Sequence, residues 1–199
     1  MYSFNQDHPL FQQNEHCLLD FIKFEQKITA LATEMRINLH DYKIDHIGIA
    51  VETQEIAEQW LRKFAQCGEI FSQNIINGRM IYLIKLTHAL RFAGQWVDVI
   101  ELPFPKNKRY SKNTWEHIEI VLPFTTNETV KNWILRINQL YQWNKSGKLK
   151  VKMSEPKGEG EQIPNPSITV GYANDEQSVR IKVHPYDIQQ IVKNDISYS

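Results

Sequence analysis

The feature that most constrains this chain is a strand-like stretch that it carries twice. Residues 44–51 read IDHIGIAV and residues 115–123 read WEHIEIVLP, so an acidic residue, a histidine and alternating isoleucines recur in the same order. Side chains of a strand alternate between its two faces. The later copy then puts Ile118, Ile120 and Leu122 on one face and Trp115, His117, Glu119 and Val121 on the other. The earlier copy sets Ile47, Ile49 and Val51 against Ile44, His46, Gly48 and Ala50. Each copy offers an aliphatic face to helices and a second face that bears a histidine. A sheet that turns both histidines inward makes a metal cup.

The segments downstream of the two copies repeat as well. After Val51, Thr53 serves as the N-cap of a helix striped by Ile56, Ala57, Trp60, Leu61 and Phe64, with Gly68 to end it. Strands come next near residues 69–74, 80–87 and 95–102, with Asn77-Gly78 as a hairpin turn and a loop near 89–94. After the second copy, Thr125 and Glu128 fit a capping box for a helix striped by Val130, Trp133, Ile134, Ile137, Leu140 and Tyr141. Strands near 149–154, 167–172 and 178–185 and a short helix over 186–193 complete it. The expectation is an α+β fold: two tandem βαβββ modules forming a curved sheet cup, with an N-terminal helical extension. Residues 1–40 are the extension, 41–103 the first module, 104–114 a linker, and 115–193 the second module plus C-terminal helix.

A length of 199 residues suits one compact unit, and 23 basic residues against 23 acidic ones leave no net field to attract nucleic acid or anionic lipid. The start lacks the apolar core of a signal peptide and no apolar run reaches 18 residues, so the expectation is a cytoplasmic protein with no membrane partner. Cys17 and Cys67 form no metal-binding spacing and read as small buried hydrophobes.

If both modules curve around one cavity, His46, Glu101 and His117 converge on it from three strands. Two imidazoles and a carboxylate suit a divalent transition metal such as Zn, Fe, Mn or Ni. The plainer alternative is a pair of satisfied, partly buried histidines and a strand-end Glu101 paired with Lys or Arg. Glu119 reads as a catalytic carboxylate that moves a proton, as a supporting carboxylate, as a substitute ligand, or as a wall residue paired with a cation. Arg79 is a candidate contact for an anionic group of a substrate, against an exposed hairpin arginine. Trp115, with Arg109 and Tyr110, is a candidate substrate-binding rim, against a single packed tryptophan closing the linker. Of Tyr82 and Lys85, only one can face inward, and Trp60, Trp133 and Trp143 belong to the core or to helix edges.

The motifs IDHIGIAV, FAQCGEI with IINGR, WVDVIELPFP, KRYSKNTWEHIEIVLP and VRIKVHPYDI together resemble the YecM family of bacterial proteins, over roughly residues 43–192. That family lies within the glyoxalase/bleomycin-resistance/dioxygenase group, the vicinal oxygen chelate superfamily. The resemblance implies paired modules around a cup, with metal ligands falling on His46, Glu101 and His117. Aligning ELP at 101–103 with VHP at 183–185 puts Val183 where the superfamily's enzymes usually carry a fourth ligand, with His184 turned to the other side. It therefore implies a three-ligand site, similar to the dioxygenase branch. The function implied is a metal-dependent lyase, isomerase or dioxygenase acting on a small oxygenated molecule, reaction unassigned. The alternative is a non-catalytic module that binds a small molecule in the same cup. Monomer and homodimer both fit.

Overall fold

The computed structural model describes residues 4–12, 15–106, 113–155, 163–174 and 179–196, without the side chains of 15 and 194–196. Arg109 and Tyr110 lie outside them. A helix α1 (Glu15–Glu34) precedes β1 (Ile44–Ala50), α2 (Gln54–Ala65), β2 (Gly68–Ile76), β3 (Arg79–Phe92) and β4 (Gln95–Pro103). The order then recurs as β5 (Thr114–Val121), α3 (Val130–Tyr141), β6 (Leu149–Ser154), β7 (Ser167–Tyr172) and β8 (Arg180–His184), ending in α4 (Ile188–Ile196).

One sheet holds all eight strands, in the order β2-β3-β4-β1-β5-β8-β7-β6. Within each module the first strand lies parallel to the last, β1 with β4 and β5 with β8. The modules meet where β1 runs antiparallel to β5. Both histidine strands therefore lie side by side at the centre of the sheet. This is the mixed α+β architecture of two βαβββ units that the repeat predicts.

Local chemistry explains most of the elements. Asn77 and Gly78 take φ of 51° and 71°, the paired left-handed turn that suits a two-residue hairpin. Ala93 and Gly94 do the same at 45° and 79°. That second turn is all that remains of the loop expected near 89–94, so β3 runs on to Phe92. Thr53 caps α2 by accepting from the Ile56 amide, as expected. Gly68 does not end α2, which stops at Ala65. It opens β2 instead, where an added Cβ would stand 2.5 Å from the Lys85 carbonyl oxygen. The capping box also shifts. Thr129 caps α3, while Glu128 turns back to the Thr125 amide and grips Arg136 just before the helix begins.

The main core lies between the helices and one face of the sheet. Trp133 is fully buried there, its indole N–H donating to the Leu122 carbonyl at 2.8 Å, and Trp143 donates to Met35 at the same distance. A smaller cluster of Leu83, Val99 and Val192, with Phe71 and Ile188 against it, holds α4 to the first module. Leu83 pairs with Glu101 in the ladder, and Val99 lies two residues before Glu101 on β4. So α4 covers part of the opposite face, the one that bears the histidines. Lys85 reaches Asp98 and Gln189 of α4, whereas Tyr82 packs against the main core. Lys85 is thus the inward member of that pair.

Candidate metal centre

Two bulges in the central ladder create the site. Ile44 pairs with Ile120 and His46 with Glu119, which leaves Asp45 as an extra residue in β1. Gly48 pairs with His117 and Ile49 with Trp115, which leaves Glu116 extra in β5. A bulged residue bends its strand and re-aims its side chain, so each acidic residue reaches the histidine directly after it. Asp45 Oδ2 lies 2.9 Å from His46 Nδ1, and Glu116 Oε2 lies 3.1 Å from His117 Nδ1. Occupying Nδ1 fixes the ring and leaves Nε2 as the inward-facing donor atom.

The same bulges reverse the facing of the residues before them. Ile44 and Trp115, which strict alternation puts beside the histidines, join the main core instead. Trp115 is 3% exposed and lies edge-on to Phe21, centroids 4.8 Å apart, and to Trp60 at 5.7 Å. It is a core residue and not a wall of the cup, which corrects its expected role in substrate binding.

The structure brings His46, Glu101, His117 and Glu119 together, all buried, with one ligand atom from each lying within 4.8 Å of every other. His46 Nε2 is 3.6 Å from Glu101 Oε2 and 3.5 Å from Glu119 Oε1. His117 Nε2 is 3.6 Å from Glu101 Oε1 and 3.5 Å from Glu119 Oε1. A tetrahedral ion bonded at about 2.0–2.2 Å holds its donors roughly 3.3–3.6 Å apart. His46 Nε2 and Glu101 Oε1 are moreover buried without a hydrogen-bond partner, a costly arrangement unless something else satisfies them. The donor set could hold a divalent metal in composition, and its histidine–carboxylate distances approach that spacing. Gly48 is required for it: a Cβ there would sit 2.0 Å from Cε1 of His117.

Four neighbours escaped the alternation pattern: Lys182, His184, Asp45 and Glu116. Lys182, not Val183, is the counterpart of Glu101, because Gly48 pairs with Glu101 and Glu119, two residues beyond His117, pairs with Lys182. Val183 is fully buried in the main core. Lys182 Nζ lies 2.7 Å from Glu119 Oε1, 2.9 Å from His117 Nε2 and 4.0 Å from Glu101 Oε1. His184 therefore faces the cup rather than away from it, with Nε2 3.3 Å from Asp45 Oδ2 and Nδ1 3.7 Å from Glu119 Oε2. Asp45 also accepts from the Ile188 amide at the start of α4, where a carboxylate suits the helix end. The sequence did carry a signal for the acidic pair, an acid directly before each histidine.

Arg79 is not part of this cluster. It opens β3 opposite Ile76, four residues before the Leu83 that pairs with Glu101, or about 13 Å along a strand.

The cluster is strongly polarised. Burial disfavours the charged form of His46, but the Glu119 charge, the Asp45 hydrogen bond at Nδ1 and the nearby Glu101 carboxylate outweigh it and raise the imidazole well above its ordinary range. Burial opposes ionisation of Glu101 and Glu119 too, and the Lys182 charge with the histidines holds both well below the usual carboxylate range. Glu116 is drawn down to about 2 by His117 against the same burial. Lys182, despite desolvation, is raised to about 12 by Glu101 and Glu119. Arg180 pairs with Glu116 at 2.9 Å. Metal ligation requires both imidazoles to be neutral, and the carboxylates of Asp45, Glu101, Glu116 and Glu119 then exceed Lys182 and Arg180 by two negative charges. A divalent cation would cancel that excess.

Among known proteins, residues 13–195 match the family described as YecM protein. An uncharacterized protein of Haemophilus influenzae is 47% identical over 175 residues, covering 87% of this chain and 91% of that one. Protein YecM of Escherichia coli is 38% identical over 178 residues, covering 89% and 92%. A solved structure titled Structural Genomics, Protein EC4020, superimposes with a TM-score of 0.75 at 33% identity, covering 98% of each chain.

Proposed function

The chain belongs to the YecM protein family, and from that footing we propose that its cup is a divalent-metal site acting on a small oxygenated molecule. The observation that carries this reading is the quartet of His46, Glu101, His117 and Glu119, whose histidine and carboxylate donors stand 3.5–3.6 Å apart. Two imidazoles and two carboxylates are a donor set for Zn, Fe, Mn or Ni rather than for an oxygen-only Mg or Ca site. The metal, once bound, would supply a Lewis acid for a carbonyl, enolate or diol oxygen.

This chain's own residues would do the rest. Asp45 and Glu116 orient the histidines. Glu119 Oε1 faces both histidines, and its Oε2, beside His184, would be the atom that takes a proton from a bound substrate. Arg79 shares the face of Leu83 and Glu101 along the β3 and β4 ladder, and would hold an anionic group at the far end of the substrate. Lyase, isomerase and dioxygenase chemistries share this core of polarisation and proton movement.

The test is elemental analysis of protein purified without a metal-affinity tag. Near-stoichiometric transition metal in the parent, lost in a variant with His46, Glu101 and His117 all changed to Ala, is the expected result. Equal metal in both, or none in either after supplementation, would overturn the proposal.

A further inference from the structure

The proposed metal site contains a cation of its own. The two modules are register-equivalent around β1 and β5, and the equivalence shows where they diverge. The first module has Gly48 on its histidine strand and Glu101 opposite it, and the second has Glu119 and Lys182 in those places. The second module's carboxylate has moved one strand across the ladder, and a lysine fills the position it would otherwise hold.

Lys182 does not simply line the cup. Its Nζ is within hydrogen-bond reach of Glu119 Oε1 and His117 Nε2, two of the atoms that also belong to the donor quartet. An ammonium that near to those atoms and an ion bound to them cannot occupy the same space. The Lys182 side chain keeps 22% of its surface exposed, against 1% for His117 and 10% for Glu119. It is more exposed than any of the four donor residues, of which Glu101 reaches 11%.

We infer that Lys182 is an internal competitor for the metal, so that loading the site is an exchange of one cation for another. The inference rests on the metal reading proposed above. Before the exchange, the ammonium holds Glu119 and His117 in place and offsets part of the buried negative charge. During it, the flexible four-carbon stem swings Nζ off the two donor atoms toward the exposed side. Afterwards the ammonium stands at the edge of the ion, as a charge for an anionic oxygen of the incoming molecule. The device lowers affinity for free metal ions and makes the loaded site selective for an anionic ligand.

The experiment is Zn2+ affinity, measured at fixed pH by competition with a fluorescent chelator, on the parent, Lys182→Met, Lys182→Gln and Glu101→Gln, each first checked for an intact fold by circular dichroism. Both Lys182 variants remove the charge, and Gln keeps a polar end should Met disturb the fold. The expected result is that removing the ammonium tightens binding by about tenfold or more, the scale on which groups touching metal ligands act, while Glu101→Gln weakens it. Unchanged or weaker binding in the folded Lys182 variants, with loss in Glu101→Gln, would overturn this inference and leave the metal reading standing. No Zn2+ binding in the parent and in both Lys182 variants would overturn both.

Discussion

The two modules place the same device in different company. Each carries a bulge that turns an acid onto the Nδ1 of the next histidine, Asp45 onto His46 and Glu116 onto His117. Beyond that point they part. The first module supplies an empty position at Gly48 and a carboxylate from its closing strand. The second supplies its carboxylate from the histidine strand and a lysine from the closing one. Two copies of one fold can therefore share the construction of a site while dividing its donors unequally. The halves keep backbone geometry in common, and they vary the side chain that each rung presents.

The comparison breaks most sharply at the donors. His46→Ala, Glu101→Ala, His117→Ala and Glu119→Ala are each expected to weaken Zn2+ binding beyond the ten- to hundredfold seen for supporting groups. A chelator competition in which Glu119→Ala binds as the parent does would remove the second module's carboxylate from the donor set. Next comes Gly48→Ala, whose methyl group collides with the His117 ring. Overpacking of this kind costs about 3 kcal/mol, a fall of roughly 10 °C in Tm for a chain of this size. Thermal melts within about 2 °C of the parent would mean that His117 does not lie over Gly48.

A smaller effect separates the two acidic partners. Asp45→Asn and Glu116→Gln are both expected to weaken metal binding by about tenfold to a hundredfold. Asp45→Asn should also cost more stability than Glu116→Gln, because the fully buried Asp45 carboxylate additionally faces His184 and accepts from the Ile188 amide of α4, whereas Glu116 is partly exposed beside Arg180. Equal melting temperatures would refute that added role.

The smallest effect distinguishes the two module helices. α2 is capped by Thr53, while α3 is preceded by the Glu128 to Arg136 clasp. The Arg136 hydrogen bond draws the Glu128 carboxyl down to about 2. A depressed carboxyl contributes its stability in full above its unfolded value, about 4.3, and loses it as pH falls through the folded one. Glu128→Gln is thus expected to melt about 1–3 °C below the parent at pH 7, with the gap closing between about pH 4 and pH 2. A gap that stays constant across that range would show that the charge plays no part.

Much of this was legible in the chain itself. The paired strands, the amphipathic stripes and the Asn77-Gly78 turn are local patterns, and they give the two βαβββ modules and the candidate ligands His46, Glu101 and His117. Glu119 was visible too, as the residue that shares a strand face with His117. Trp115 misled because strict alternation carries no mark of a bulge. Lys182 was hidden behind a plausible alignment of ELP with VHP that sits one residue out of register.

By itself, the sequence determined the elements and their repeat, because helix and strand periods arise from contacts between near neighbours along the chain. Only the tertiary structure decided which rung meets which. Register belongs to a pair of strands and not to either alone, and it is register, with two bulges, that sets a lysine rather than a valine beside the His46, Glu101, His117 and Glu119 quartet.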